Sequence, residues 1–174
     1  MKKKNTKIGI LGGTFDPPHV GHLNIAKISL KKFKLDSLIW IVTKQNPLKK
    51  KPLLNAKTRI LLSKKITKNQ KKITVKYFDD KVKSRNTFAL LNYLKNKRKQ
   101  TKLFFIIGAD NFIKFHKWSK WKKIPKFAKI VVFARQHYST KALNSTASKK
   151  LKKNDWVYIN YKKMNISSSL IRKF

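Results

Sequence analysis

Two histidines three residues apart, His19 and His22, close the string Gly12-Gly13-Thr14-Phe15-Asp16-Pro17-Pro18-His19-Val20-Gly21-His22. Side chains three apart on the first turn of a helix face the same way. The pair would therefore set two imidazoles beside the unsatisfied backbone N–H groups of a helix start. That combination suits a polyphosphate, because the free N–H groups and the positive end of the helix both favour negative charge. Gly12 and Gly13 let a backbone approach a ligand closely, and the prolines stiffen the turn and tolerate the first helical position. A Gly/Pro turn with two surface histidines would explain an isolated H-x-G-H. Here all eleven residues directly follow the apolar run KIGILG at 7–12, and the phosphate reading is preferred.

Two further groups could do chemistry. Ile166-Ser167-Ser168-Ser169-Leu170-Ile171-Arg172 offers hydroxyls and N–H groups at a helix start with an arginine one turn on, a second phosphate site in outline. In mid-chain, Ile107-Gly108-Ala109-Asp110 follows an apolar run, and Trp118-Ser119-Lys120-Trp121 comes shortly after. Helix capping is the alternative role for Asp110, and core packing at helical spacing the alternative for Trp118 and Trp121. No glutamate and no base–nucleophile pair is present.

The elements that must position these groups alternate. Strands are expected at 7–12, 37–43, 73–78, 103–107, 130–133 and 156–159. Helices are expected at 19–33, with Leu23, Ala26, Ile28 and Leu30 apolar, and at 57–66, with Ile60, Leu61 and Ile66 apolar. Another runs over 87–94, capped by Asn86 or Thr87, and a short one over 120–127, with a terminal helix beginning after the serines. Strand–helix alternation predicts an α/β fold with a doubly wound parallel sheet. In such sheets ligands lie outside the carboxyl ends of the strands, where strand order reverses. No repeat or Gly/Ser linker divides residues 1–174, which read as a single domain.

Composition narrows the classes. The 174 residues are 41% hydrophobic, enough for one core, and no run approaches the ~20 apolar residues of a membrane helix. The N-terminal apolar run is too short for a secretory signal, and with no cysteine there is neither a disulfide framework nor a thiolate metal site. A cytoplasmic enzyme is expected. The chain carries 45 Lys+Arg against 6 acids, all Asp, for a net charge of +39. A selected nucleic-acid surface would explain such charge, but the lysines spread over the whole chain, as compositional drift would place them. No specific nucleic acid is expected, and nothing fixes the oligomeric state.

GGTFDPPHVGH resembles the signature of the adenylyltransferase branch of the HxGH nucleotidyltransferase superfamily, which shares its phosphate-binding logic with class I aminoacyl-tRNA synthetases. ISSSLIR is similar to that branch's second element, ISSTxIR, with Ser169 in the threonine position. The GAD element at 108–110 and the W-x-x-W element at 118–121 are similar to the bacterial nicotinate-nucleotide adenylyltransferase family. That resemblance implies a Rossmann-like nucleotidyltransferase fold and transfer of an adenylyl group from ATP to nicotinate mononucleotide, with Mg²⁺ entering on ATP. It implies that His19 and His22 meet the phosphates, His22 in the transition state, and that Gly12, Gly13, Thr14 and Phe15 bind ATP. Lys49, Ser168, Ser169 and Arg172 would hold the β- and γ-phosphates. Arg135 would lie close to the adenine, although Gln136-His137 replaces the expected Pro-Gly. Asp110, with Gly108, would meet a ribose hydroxyl, Thr87 the nicotinate carboxylate (with Asn86 where a Tyr is expected), and Trp118 the cationic ring, for which an aromatic face is a good platform. The chain ends two residues after Arg172, where many relatives continue a helix. Pantetheine-phosphate adenylyltransferase shares the first motif but has no reason to carry GAD followed by HKWSKW. Preference for nicotinamide mononucleotide depends on backbone groups the sequence hides. A basic nucleic-acid-binding protein on an inactive nucleotidyltransferase fold would have little reason to keep His19, His22 and Arg172.

Overall fold

The computed structural model describes residues 6–46, 48, 50–82, 84 and 86–161. Six strands, β1 (Lys7–Gly13), β2 (Ser37–Val42), β3 (Ile73–Lys76), β4 (Lys102–Gly108), β5 (Ala128–Phe133) and β6 (Trp156–Ile159), form one sheet in the order β3-β2-β1-β4-β5-β6. Every pairing is parallel, with Ile10 opposite Ile39 on one side and Phe105 on the other. Strand order reverses between β1 and β4, so the carboxyl ends of these two strands flank the crevice such sheets use for ligands. Gly12-Gly13 and Gly108 stand at those two ends.

The strands are nearly all-apolar runs because both faces are covered. Alternate residues feed two cores. Ile10, Ile41, Leu103, Phe105, Ile107 and Ile130 point to one face; Leu11, Leu38, Trp40, Phe104, Ile106 and Val131 point to the other. The second face is covered by α1 (Val20–Lys32) and α2 (Ala56–Thr67). The first is covered by α4 (Thr87–Lys97) and α5 (Ala109–Ile113), by two 3₁₀ turns at Phe115–Lys117 and Trp121–Lys126, and by α6 (Ser139–Leu143) and α7 (Thr146–Lys150). A one-turn α3 (Asp79–Val82) leads from β3 towards α4. No helix among the described residues is long and apolar enough to cross a membrane.

Several local expectations change. The helix expected from His19 begins at Val20, with His19 as its cap. Leu61, expected on the apolar side of α2, is 57% exposed; the fully buried side chains there are Arg59, Ser63 and Thr67. The expected helix at 120–127 is a 3₁₀ turn, because Pro125 lacks the N–H an α-helix would need. Helices α5, α6 and α7 escaped the periodicity because five residues are too few to show it. Asn86 caps α4, accepting from the Ala89 N–H at 2.8 Å.

Candidate active site

Chain leaving β1 turns sharply at Phe15, whose φ of +50° is the left-handed conformation that glycine usually supplies. For a residue with a Cβ this costs about 1–2 kcal/mol, and burial of the ring offsets it. Phe15 is 4% exposed, lies 4.6 Å from the Trp40 ring centroid and meets His22 edge-on at 5.0 Å. A Cβ on Gly13 would come within 3.2–3.4 Å of the Phe15 ring, so this glycine is needed for that close approach; no glycine among the described residues has a positive φ.

The two histidines are built into the start of α1 as its cap. Nδ1 of His19 accepts the Gly21 N–H at 3.1 Å, and Nδ1 of His22 accepts the His19 N–H at 3.3 Å. Serine with glutamate more often makes this reciprocal arrangement. It fixes the chemistry of both rings. A nitrogen that accepts carries no proton, so each neutral imidazole bears its hydrogen on Nε2. The rings lie almost stacked, centroids 3.8 Å apart and tilted by 32°. Nε2 of His19 is buried and has no hydrogen-bond partner among the described residues. Burial, with the Arg135 guanidinium nearby, lowers the His19 pKa from 6.5 to about 4, and the ring is neutral at physiological pH. A buried N–H donor without a partner is costly, and an anionic oxygen would satisfy it.

Across the crevice, Asp110 lies in the first turn of α5, but Gly108 is the cap residue and makes no side-chain cap bond. The Asp110 carboxylate instead meets Nη1 of Arg135 at 2.9 Å. Gly108 has to be small here, since an added Cβ would stand 2.6 Å from Oδ1 of Asp110. Arg135 follows β5 and reaches several strand ends: besides lowering His19, it opposes the upward push of burial on Tyr161, which follows β6. Gln136-His137, in place of Pro-Gly, keeps a left-handed residue, as His137 has φ +64°.

Sequence reasoning missed a set of residues that brace the loop after β1. The carboxylate of Asp16 accepts the N–H groups of Leu53 and Leu54 at 2.8 and 2.9 Å. Asp79 accepts the Lys44 N–H at 2.9 Å. Between them lies Arg59, 1% exposed, with its guanidinium donating to four backbone carbonyls. In a chain of this composition an extra helical cation reads as a solvated face. The available signal was its type: the sequence holds five arginines among its 45 basic residues, and Arg59 and Arg135 are two of the five.

The structure brings Gly12, Gly13, Thr14, Phe15, His19 and His22 to the end of β1, and Gly108, Asp110 and Arg135 to the ends of β4 and β5. Thr87 opens α4. Trp118 is half-buried, packing edge-on to Phe105 at 6.1 Å and tilted against Phe115 at 5.1 Å. The neighbours of these two residues, Asn86, Phe88, Ser119 and Lys120, line one open groove of about 440 Å³. Lys49, Ser168, Ser169 and Arg172 lie outside the described residues. Among the described residues no group of three His, Cys, Asp or Glu side chains could hold a metal ion.

Comparison with known proteins places this geometry. A family model described as cytidylyltransferase-like matches residues 10–174. The probable nicotinate-nucleotide adenylyltransferase of Pelagibacter ubique is 50% identical over 99% of this chain and 96% of its own length. That of Bradyrhizobium strain ORS 278 is 31% identical over 95% of both. Among solved structures, the Plasmodium falciparum nicotinic acid mononucleotide adenylyltransferase complexed with NaAD superposes with a TM-score of 0.76, at 24% identity, over 98% of this chain and 84% of that one, a likeness of fold. With a cap of two imidazoles at the switch point of a 3-2-1-4-5-6 sheet and a full-length relative at half identity, the chain belongs to the nicotinate-nucleotide adenylyltransferases, within the cytidylyltransferase-like family.

Proposed function

We propose that the chain transfers the adenylyl group of ATP to nicotinate mononucleotide, giving nicotinate adenine dinucleotide and pyrophosphate, a late step of NAD biosynthesis. The observation that carries this reading is the stacked pair of cap imidazoles at the opening of α1, with Nε2 of His19 buried and without a partner among the described residues. An oxygen of the mononucleotide 5′-phosphate attacks the α-phosphorus. The bond from that phosphorus to the oxygen bridging the α- and β-phosphates breaks, and pyrophosphate leaves with the electron pair. The attacking phosphate is already an anion, so no general base is required. Catalysis then rests on alignment and on offsetting charge at the oxygens around the α-phosphorus. His19 and His22 serve that role, His22 as the transition-state contact, with Gly12, Gly13, Thr14 and Phe15 around the phosphates. Ser168, Ser169, Lys49 and Arg172 complete the hold on the β- and γ-phosphates, and Arg135 lies by the adenine.

Asp110 holds a ribose hydroxyl, its carboxylate oriented by the ion pair with Arg135. Thr87 meets the nicotinate carboxylate, and Trp118 offers its face to the ring; both follow from the family and from the groove their neighbours share. Mg²⁺ would come with ATP, held by phosphate oxygens and water; the Asp16 carboxylate is already occupied by backbone N–H groups. Bound there, it would neutralise charge on the leaving pyrophosphate. Residues 1–174 act as one nucleotidyltransferase domain in the cytoplasm. The test is pyrophosphate release from the purified protein with ATP and each mononucleotide in turn. Release with nicotinate mononucleotide supports the reading, and no release with any mononucleotide refutes it.

A further inference from the structure

We propose that Arg59 is a positioning residue for adenylyl transfer, a buried clamp that sets the ATP-side backbone while touching no substrate. The inference rests on the adenylyl-transfer reading above. Its guanidinium donates from Nη1 to the carbonyls of Thr14 at 2.5 Å and Thr43 at 2.7 Å, from Nη2 to Lys44 O at 2.9 Å, and from Nε to Leu54 O at 3.0 Å. These acceptors belong to three separate stretches: the phosphate loop after β1, the loop after β2 and the entry to α2. Asp16, Tyr77 and Asp79 oppose the downward pull of burial on its pKa, so the charge is held from three sides. The two carboxylates extend the clamp, Asp16 to Leu53 and Leu54 and Asp79 to Lys44.

Pinning the Thr14 carbonyl has a directional effect. In a trans peptide the C=O and the following N–H point opposite ways. With its oxygen drawn to Arg59, the Thr14–Phe15 peptide turns the Phe15 N–H away from the clamp, and Phe15 is held at φ +50° with its ring against His22. Arg59 thus fixes one backbone donor of the phosphate loop and, through Phe15, the seat of one catalytic imidazole. All four bonds lie on the ATP side. Asp110, Thr87 and Trp118 are not among its partners.

The experiment uses the full chain with Arg59→Met and Arg59→Lys. Melting is followed by circular dichroism, and kcat and both KM values by pyrophosphate release. Because a misplacement of about 1 Å costs on the order of 10²-fold, Arg59→Met is expected to lose about 10²-fold in kcat/KM for ATP. The KM for the mononucleotide should stay within about twofold, since its contacts lie elsewhere. Arg59→Lys, which keeps the charge and one or two of the bonds, should recover part of the ATP loss. If Arg59→Met does not fold, Arg59→Lys carries the same measurement. An equal rise in both KM values, lowered melting with unchanged kinetics, or failure of both variants to fold would make Arg59 a core strut only and overturn the proposal. Wild-type protein that released no pyrophosphate would instead overturn the underlying reaction, so the two failures are distinguishable.

Discussion

Acid should destabilise this fold through His19, by an amount that follows from its surroundings. The ring has a pKa of about 4 in the folded chain against 6.5 when unfolded. Above 6.5 neither state binds the proton, and stability is unaffected. Between 6.5 and 4 the unfolded chain binds it and the folded chain does not, so stability falls as pH falls through that window, and the His19 contribution levels off below 4. Each pH unit is worth about 1.4 kcal/mol. At about pH 5 the loss approaches 2 kcal/mol, less what solvent at the crevice mouth screens. With a urea slope of roughly 2 kcal/mol/M, the unfolding midpoint should drop by up to about 1 M. The structural cause is burial, with the Arg135 guanidinium nearby, and a proton on Nδ1 would also end its bond from the Gly21 N–H. The control is His19→Asn, which can still accept that N–H at the cap but does not titrate. Urea midpoints for both proteins at about pH 7.5, 6, 5 and 4.5 isolate one residue, since the other histidines and the large net charge are common to both. Equal pH slopes in the two proteins would refute the claim that His19 is held neutral.

Four other outcomes are expected. His22→Ala should keep the fold, since His19 still caps α1, and lose on the order of 10²–10³ in turnover; near-wild-type pyrophosphate release would remove His22 from the transition state. Gly108→Ala should displace Asp110 from Arg135, the new Cβ standing 2.6 Å from Oδ1, and raise KM for the mononucleotide with little change in that for ATP; titrating each substrate at saturating concentrations of the other checks it. Nicotinate mononucleotide should be preferred to the nicotinamide form by about 5- to 150-fold in kcat/KM, the cost of leaving a buried donor unpaired, while Trp118→Ala should weaken both alike; a ratio at or below one would overturn the acid preference. Despite the charge of +39, nucleic-acid binding should be non-specific and fade steeply with salt; sequence-selective binding in a gel-shift assay at physiological salt would contradict this.

The sheet was legible because parallel strands buried on both faces read as apolar runs, while the edge strand β3, ITVK, was legible by its alternation. The long helices α1, α2 and α4 were legible in place, and α1 also in facing, but α2 was not. Helix α2 buries Arg59, Ser63 and Thr67 and exposes Leu61, an inversion produced by the hydrogen bonds of Arg59 and Thr67 to backbone carbonyls, which no hydropathy pattern encodes. The histidine pair was legible as a pair. Its tautomers were not, because they follow from cap geometry rather than from spacing. Phe15 was the least readable residue: an aromatic side chain in a left-handed turn contradicts local preference, and only the surrounding Gly13, His22 and Trp40 make it tolerable.

The Arg59 clamp recognises no side chain on its acceptor side. Thr14, Thr43, Lys44 and Leu54 take part only through main-chain oxygens, which every residue type supplies. The hydrogen-bonding requirement for these loops is thereby concentrated at a single codon. The acceptor positions can therefore exchange one residue for another without loosening the loops that Arg59 holds together.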